Sequence, residues 1–321
     1  MGAFLFRRVL FGIALVLVSS SSALLLTRLA PGDVTAQLGQ DAPPGEISAT
    51  RVRFDLDRSP LSQWALWAGR ALRFEFGESF LYNRPVGPLV RASALNTAVL
   101  AIAALATATL FGLACGILTG SSRGVAASTI RVVSFVALST PPLLASFFLS
   151  FIAARTGWLP VGGMSSIDAS TMSWSSWTAD LAWHLPLPVL ALALPLAATF
   201  ERLQSQALTE ALHQPFVTAA IARGVPRAAL ILRHAGRVSL RPICGVYGVA
   251  IGALLSGSFV VEYVTAWPGL GRLMYEALRA RDIYLIAGCA ATGSAFLAIG
   301  TLIGDLLLAV VDPRVREGEH Q

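Results

Sequence analysis

Apolar residues in this chain gather in six long runs, each of which approaches or exceeds the roughly 20 residues that a helix needs to cross a bilayer. The runs are Val9–Leu26, Leu95–Leu118, Ile130–Ala154, Leu181–Phe200, Ile243–Val264 and Ile283–Val311. The third run is interrupted by Pro141 and Pro142, and such breaks are tolerated where neighbouring helices or water satisfy the backbone. The pattern predicts an all-α membrane protein with six transmembrane helices.

The composition favours the same class. Hydrophobic residues make up 55% of the chain and charged residues only 13%, whereas soluble domains carry about 25% charged residues. The first apolar run follows Arg7 and Arg8, as in a signal peptide, but it exceeds the roughly 7–15 apolar residues of a signal sequence. We therefore expect an uncleaved membrane anchor.

Arginines indicate the orientation, because positive residues concentrate in cytoplasmic loops. With the N-terminus inside, the cytoplasmic pieces hold Arg7, Arg8, Arg123, Arg131, the 202–241 group, Arg314 and Arg316. The short outer loops hold only Arg155, Arg272, Arg279 and Arg281. An even number of spans places both termini on one side, so we expect both to be cytoplasmic.

The long polar segment between the first two spans, about residues 31–93, is rich in aromatic residues, which disordered segments lack. These are Trp64, Trp67, Phe74, Phe76, Phe80 and Tyr82. We expect a short amphipathic helix near Leu61–Phe74 on the outer surface. Two roles stay open for the aromatic residues: anchoring at the membrane interface, or contact with a substrate or a delivery protein.

A basic island, PFVTAAIARGVPRAALILRHAGRVSLRP, lies between the fourth and fifth spans at Pro215–Pro242. Helical spacing runs from Thr209 to Ala222, Gly224 stands where a helix C′ residue belongs, and Pro226 is expected to begin a second helix. This pattern also matches a DNA-reading helix-turn-helix. A loop tethered to a membrane at both ends argues against nucleic acid. Binding of lipid phosphates explains the charge, but the small residues favour docking of another chain.

Reactive residues are sparse. The chain has no lysine, which excludes a P-loop ATPase site and Schiff-base chemistry. Cys115, Cys244 and Cys289 are isolated, and no catalytic, cofactor-binding or metal site is predicted. Glu201 and Glu262 fall at predicted span ends. Asp305 lies within the sixth run. Two roles stay open for it: a structural role, or a part in substrate binding or proton transfer.

Several motifs resemble one family. TAAIARG followed by RHAGRVSLRP resembles the EAA loop of permease subunits of ABC importers, with Thr218 in place of the glutamate. The dipeptide, oligopeptide and nickel branch is similar in further stretches along nearly the whole chain. These are LTRLAPGD, LDRSPLSQW, GESF, GWLPVGG, VVEYVTAWPGLGRLMYEALRARDIYLI and DPRVR.

The resemblance implies a type-1 ABC importer permease fold, with a long extracytoplasmic loop between spans one and two. It implies a division into the anchor and outer loop at 1–92, the transmembrane domain at 93–313 and a cytoplasmic tail at 314–321. The chain would be a subunit of the bacterial inner membrane without its own ATPase site. It would import peptides beside a second permease, two ATPase subunits carrying ATP and Mg²⁺, and an extracytoplasmic binding protein.

The resemblance also implies which residues act. The 215–235 loop would form the coupling helix that docks on an ATPase subunit. Its expected docking residues are Thr218, Ala219, Ala220, Arg223, Gly224, Val225, Arg233 and His234. Pro141, Pro142, Gly252 and Gly257 are expected at a hinge or along the passage. Two alternatives stay open: an ion-gradient-driven secondary transporter, which would need paired broken spans, or the same importer type with nickel or another small solute.

Overall fold

The computed structural model of the chain describes residues 2–30, 32, 35, 43–166 and 171–311. The DPRVR stretch and the predicted tail at 314–321 lie outside these ranges. The α-helices are α1 Gly2–Leu29, α2 Pro44–Arg53, α3 Pro60–Ala71, α4 Val86–Ser121, α5 Val125–Ser139, α6 Pro142–Thr156, α7 Trp174–His184, α8 Pro186–Leu212, α9 Pro215–Ala222, α10 Arg227–Ala229, α11 Gly236–Ser239, α12 Arg241–Val264, α13 Leu270–Ala280 and α14 Ile283–Val311. A π-helix covers Leu230–Ala235, and strands β1 Glu78–Ser79 and β2 Arg84–Pro85 form a small antiparallel hairpin.

The prediction of an all-α membrane protein is confirmed. Within the described ranges, five helices are long and apolar enough to cross a membrane, and α5 with α6 raises the number to six if that bent pair counts as one span. The second and fourth spans extend beyond their predicted limits: α4 begins at Val86 and α8 continues to Leu212. Helical propensity and packing carry both helices past the ends of their apolar runs.

The interruption expected at Pro141 and Pro142 divides the third run into two helices. α5 ends at Ser139, α6 begins at Pro142, and the two are bent by 109°. Thr140 and Pro141 are extended, at φ −97° and ψ 109° and at φ −60° and ψ 148°. A proline has no N–H to donate and forces the residue before it out of the helical region, so two successive prolines end the helix.

Contacts between residues divide the chain into two compact units, one of Val99–Trp267 with Ile299–Gln321 and the other of Gly2–Ala98 with Pro268–Ala298. The predicted division at residues 92 and 313 is of a different kind and stays a prediction. The second unit contains the long polar segment. α3 confirms the helix expected near Leu61–Phe74, and its N-cap is Ser59, whose Oγ accepts a hydrogen bond from the Ser62 N–H at 3.3 Å.

The aromatic residues of this segment pack mostly into the second unit's own core. Trp67 and Phe54 are buried beside Leu24 and Tyr284, and Phe80 packs against the same cluster. Among the aromatic residues singled out in the sequence, Phe74 and Tyr82 are the exceptions, and Phe74 is 83% exposed. The packed side chains stabilise the unit, and the two exposed ones stay available to the membrane interface or a partner.

Within the first unit, three glycines let α4 pack against α8 at backbone distance. Gly112, Gly116 and Gly120 lie four residues apart, and a Cβ atom on each would approach a carbonyl oxygen of α8 to 2.8 Å. Spacing of small residues by four places them on one helix face and permits close helix packing in membranes. The spacing of four is visible in the sequence itself.

Candidate functional site

The basic island begins with a break that the sequence pattern did not predict. α8 ends at Leu212 and α9 begins at Pro215, whereas one helix was expected over Thr209–Ala222. Gln214 is extended, at φ −77° and ψ 150°. This conformation follows from the proline after it, which disfavours a helical preceding residue.

The end of α9 confirms the conformation expected of Gly224. Its φ is +77°, the left-handed region in which glycine has no steric penalty. The Gly224 N–H donates to the Ile221 carbonyl at 2.9 Å, and the Val225 N–H donates to the Ala220 carbonyl at 3.1 Å. These two bonds define a Schellman motif. Pro226 precedes the next helix as its N-cap, not as its first residue.

One face of α9 is held by the chain itself. Val217, Ala220 and Leu230 are buried in a small cluster, against which Leu212 and Val225 pack. This contact fixes α9 to the end of α8 and to the turn. Ala220, expected at a docking surface, therefore faces inward and supports the helix.

The opposite face of α9 is open. Thr218, Ala219 and Ala222 are exposed, and Ile221 is 59% exposed. Gly224 is exposed too, with no atom within 4 Å of where its Cβ would stand. The segment thus presents small and apolar groups beside a rigid turn, a surface into which a complementary chain can pack closely. We call these five residues the docking face.

Basic residues surround the docking face. The Arg223 Nε donates to the Ala219 carbonyl at 3.2 Å, and the Arg227 guanidinium donates to the Ser121 carbonyl at 3.2 Å. Arg233 and His234 are exposed on the π-helix. The predicted docking residues therefore share one segment and, apart from Ala220 and the half-buried Val225, lie on its surface.

The predicted hinge residues come together in part. Pro141, Pro142 and Gly257 line a groove of about 560 Å³. A Cβ on Gly257 would stand 3.2 Å from Leu192 Cδ2 and 3.4 Å from Pro142 Cγ. The lining is mostly aliphatic, with Thr199 and Ser256 as polar members. Gly252 lies on α12 outside this lining.

Within the residues that the structure describes, no three His, Cys, Asp or Glu side chains are grouped so that they could hold a metal ion. Cys115, Cys244 and Cys289 are free thiols. Asp305 is half-buried on α14.

Comparisons with known proteins point to one family. Residues 112–317 match the family described as binding-protein-dependent transport system inner membrane component. The chain is 30% identical to a putative peptide permease protein of Brucella ovis, covering 97% of this chain and 98% of that relative. It is 26% identical to the oligopeptide transport system permease protein AppB of Bacillus subtilis, over 98% and 99%. It is 29% identical to the oligopeptide permease OppB of Mycobacterium bovis, over 98% and 99%.

Proposed function

Because the chain belongs to the family of binding-protein-dependent transport system inner membrane components, we propose that it forms half of the passage of an ATP-driven peptide importer. It is a multi-pass membrane protein and a permease subunit of the ABC peptide-importer family. Relatives that match nearly its whole length are peptide or oligopeptide permeases by name, which supports peptides over nickel or another small solute. An ion-gradient transporter is not favoured by them.

The single observation that carries the proposal is the docking face. α9 is fixed to α8 through one face while the other presents Thr218, Ala219 and Ile221 to a partner. A helix held this way transmits a push on its outer face to α8, because the buried cluster joins the two. α8 in turn packs against α5, α6 and α12, which line the aliphatic groove with it. Movement of an attached ATPase would therefore reach the groove.

The partners follow from the separation of the passage, in this chain, from ATP hydrolysis, in another. ATP and Mg²⁺ belong on two separate ATPase subunits, since the chain has no lysine for a P-loop. A second permease of similar fold completes the passage within the bilayer, and an extracytoplasmic binding protein delivers the peptide. The termini and the docking face lie on the cytoplasmic side of the bacterial inner membrane.

The test enlarges the docking face at one exposed alanine. In Ala219→Trp, the indole projects from the open side of α9, so the chain still folds but the ATPase no longer seats. We expect ATP-driven peptide uptake in proteoliposomes, and co-purification of the ATPase subunits, to fall at least about tenfold, the effect of roughly 1.4 kcal/mol of lost docking energy.

Ala126→Trp is the matched control, because Ala126 is an equally exposed alanine in the first turn of α5. It should retain both uptake and co-purification. Normal coupling in Ala219→Trp, or equal losses in the two variants, would show that α9 is not the docking site.

A further inference from the structure

Glu201 is a buried carboxylate that the proposed docking function does not use. It is 2% exposed, in the interior of α8. The apolar run stops at Phe200, which places Glu201 at a predicted span end, and α8 itself continues as a helix to Leu212. Its Oε1 accepts a hydrogen bond from Thr119 Oγ at 2.5 Å. Its Oε2 is buried and has no hydrogen-bond partner among the residues that the structure describes.

The glycine stripe of α4 creates this environment. A Cβ on Gly116 would stand 2.8 Å from the Glu201 carbonyl oxygen. The close approach brings Thr119, less than one turn further along α4, within reach of the carboxylate. A buried carboxylate oxygen without a hydrogen-bond partner is costly. A donor that reached it would remove that cost.

Glu201 lines a cleft of about 720 Å³ that carries charges of both signs. Arg131, Arg202 and Glu210 share the lining with Ser205 and Thr209. Two arginines and two glutamates leave the cleft without net formal charge. Arg131 is steadied by hydrogen bonds from its Nη2 to the carbonyls of Thr119 at 2.5 Å and Ser122 at 3.2 Å.

Arg202 is exposed, and in the described part of the chain it makes no hydrogen bond or ion pair. Its guanidinium is therefore available to an anionic group that enters from solvent. Arginine suits this role because its planar fork pairs with carboxylate and phosphate oxygens. The cleft thus offers an acceptor at its buried end and donors at its exposed rim.

We propose that this cleft binds a zwitterionic ligand: the Glu201 carboxylate turns its buried Oε2 toward the cleft and accepts from the ligand's primary ammonium, while Arg202 and Arg131 pair with the ligand's anionic group. The volume lies within the roughly 300–1,000 Å³ of small-molecule sites. Resting on the proposed function, the ligand is a short peptide in transit, whose two termini supply both charges. The headgroup of phosphatidylethanolamine has the same chemistry, so the experiment separates these two sources.

The probes are radiolabelled trialanine and its N-acetylated form, which lacks the ammonium. Each is measured by equilibrium dialysis against the purified importer complex, without binding protein or ATP, in nanodiscs of phosphatidylcholine, whose quaternary ammonium cannot donate a hydrogen bond. Trialanine should bind at least about tenfold more tightly than its acetylated form, because a hydrogen bond to a charged group contributes on the order of 1.5–3 kcal/mol.

Glu201→Gln tests the assignment directly, since the amide keeps the shape and the bond from Thr119 but cannot balance an ammonium. Trialanine affinity should fall at least about tenfold, with no change for the acetylated form. Glu75→Gln, at an exposed glutamate outside the cleft, should change neither. If Glu201→Gln does not fold, the preference of the unaltered chain for the free amine still decides the question.

A second arm replaces phosphatidylcholine by phosphatidylethanolamine. If this lipid raises the melting temperature of the unaltered complex but not of Glu201→Gln, and competes with trialanine, the zwitterion site stands and the lipid is its occupant. Equal binding of free and acetylated peptide without any lipid effect would overturn the proposal. Dissociation of the second permease in Glu201→Gln would also overturn it, by showing that a partner side chain occupies the cleft. These outcomes concern binding without ATP, so they are independent of whether α9 docks an ATPase.

Discussion

Replacing Gly116 by alanine adds one methyl group at the closest point between α4 and α8. That Cβ would stand 2.6 Å from Gln204 Cβ and 2.8 Å from the Glu201 carbonyl oxygen. Carbon atoms in contact prefer about 3.5–4.0 Å. Neither neighbour can rotate away, because one is a Cβ fixed to the backbone and the other is the backbone itself. The helices must therefore separate locally.

The expected cost follows from these distances. Overpacking by a methyl group typically costs about 1–3 kcal/mol, and rigid neighbours favour the upper end. Alanine regains about 1 kcal/mol of helix propensity over glycine. A net loss of about 2 kcal/mol in the free energy of unfolding remains. Separation also lengthens the bond between Thr119 and Glu201, so trialanine affinity should change as well.

The assay is reversible unfolding of the purified full chain in mixed micelles titrated with dodecyl sulphate, followed by circular dichroism. Gly87→Ala is the control on the same helix, because no atom lies within 4 Å of its added methyl group. It should lose no stability. If the free energy of unfolding of Gly116→Ala lies within about 0.5 kcal/mol of that of the unaltered chain, then close backbone packing does not hold α4 against α8.

Three further outcomes are expected. Gly224→Asn should retain ATPase co-purification and Gly224→Val should lose most of it, since asparagine tolerates the left-handed region and a β-branched residue does not; equal effects would mean that the turn geometry is irrelevant. Burial raises the pKa of Asp282, so its stabilising contribution is complete below the unfolded pKa of about 3.9 and is lost as pH rises through the raised folded value. Unfolding titrations across that window should show the free energy falling with pH, and Asp282→Asn should flatten the slope. Gly257→Phe should fill the groove beside Leu192 and Pro142 and stop peptide uptake while leaving ATPase co-purification intact; undiminished uptake would exclude the groove from the passage.

The sequence predicts the straight spans well because length and apolar composition decide them. The conformation of Gly224 was predictable for a different reason: a glycine between a helical pattern and a proline has few structural alternatives. The two prolines at 141–142 predict a break in the helix, but they do not predict the 109° angle between its two parts. That angle depends on how α5 and α6 each pack against α8, which no local pattern contains.

The candidate site was harder to predict from the sequence. The burial of Glu201 was not predictable, because hydropathy marks only where an apolar run ends, whereas α8 continues as a helix with polar residues on its exposed side. Its importance rests on Thr119, which is 82 positions away in the chain. The glycine stripe did carry a readable signal in its spacing of four. The packing of several aromatic residues into a core of the loop's own was not predictable, because a single sequence does not distinguish such a core from an interface.

The bend between α5 and α6 also decides whether the number of times the chain crosses the membrane is even or odd. Each half has 15 residues, about 22 Å of helix, which is too short for the roughly 30 Å hydrocarbon core. Together they count either as one crossing or as none, and the difference changes the side reached by every later element. The cytoplasmic position that we propose for α9, on the side of the N-terminus, requires an even number of crossings before it and therefore requires the pair to act as one. A substitution that folded the pair back on itself would invert the rest of the protein and present an intact docking face to the wrong compartment.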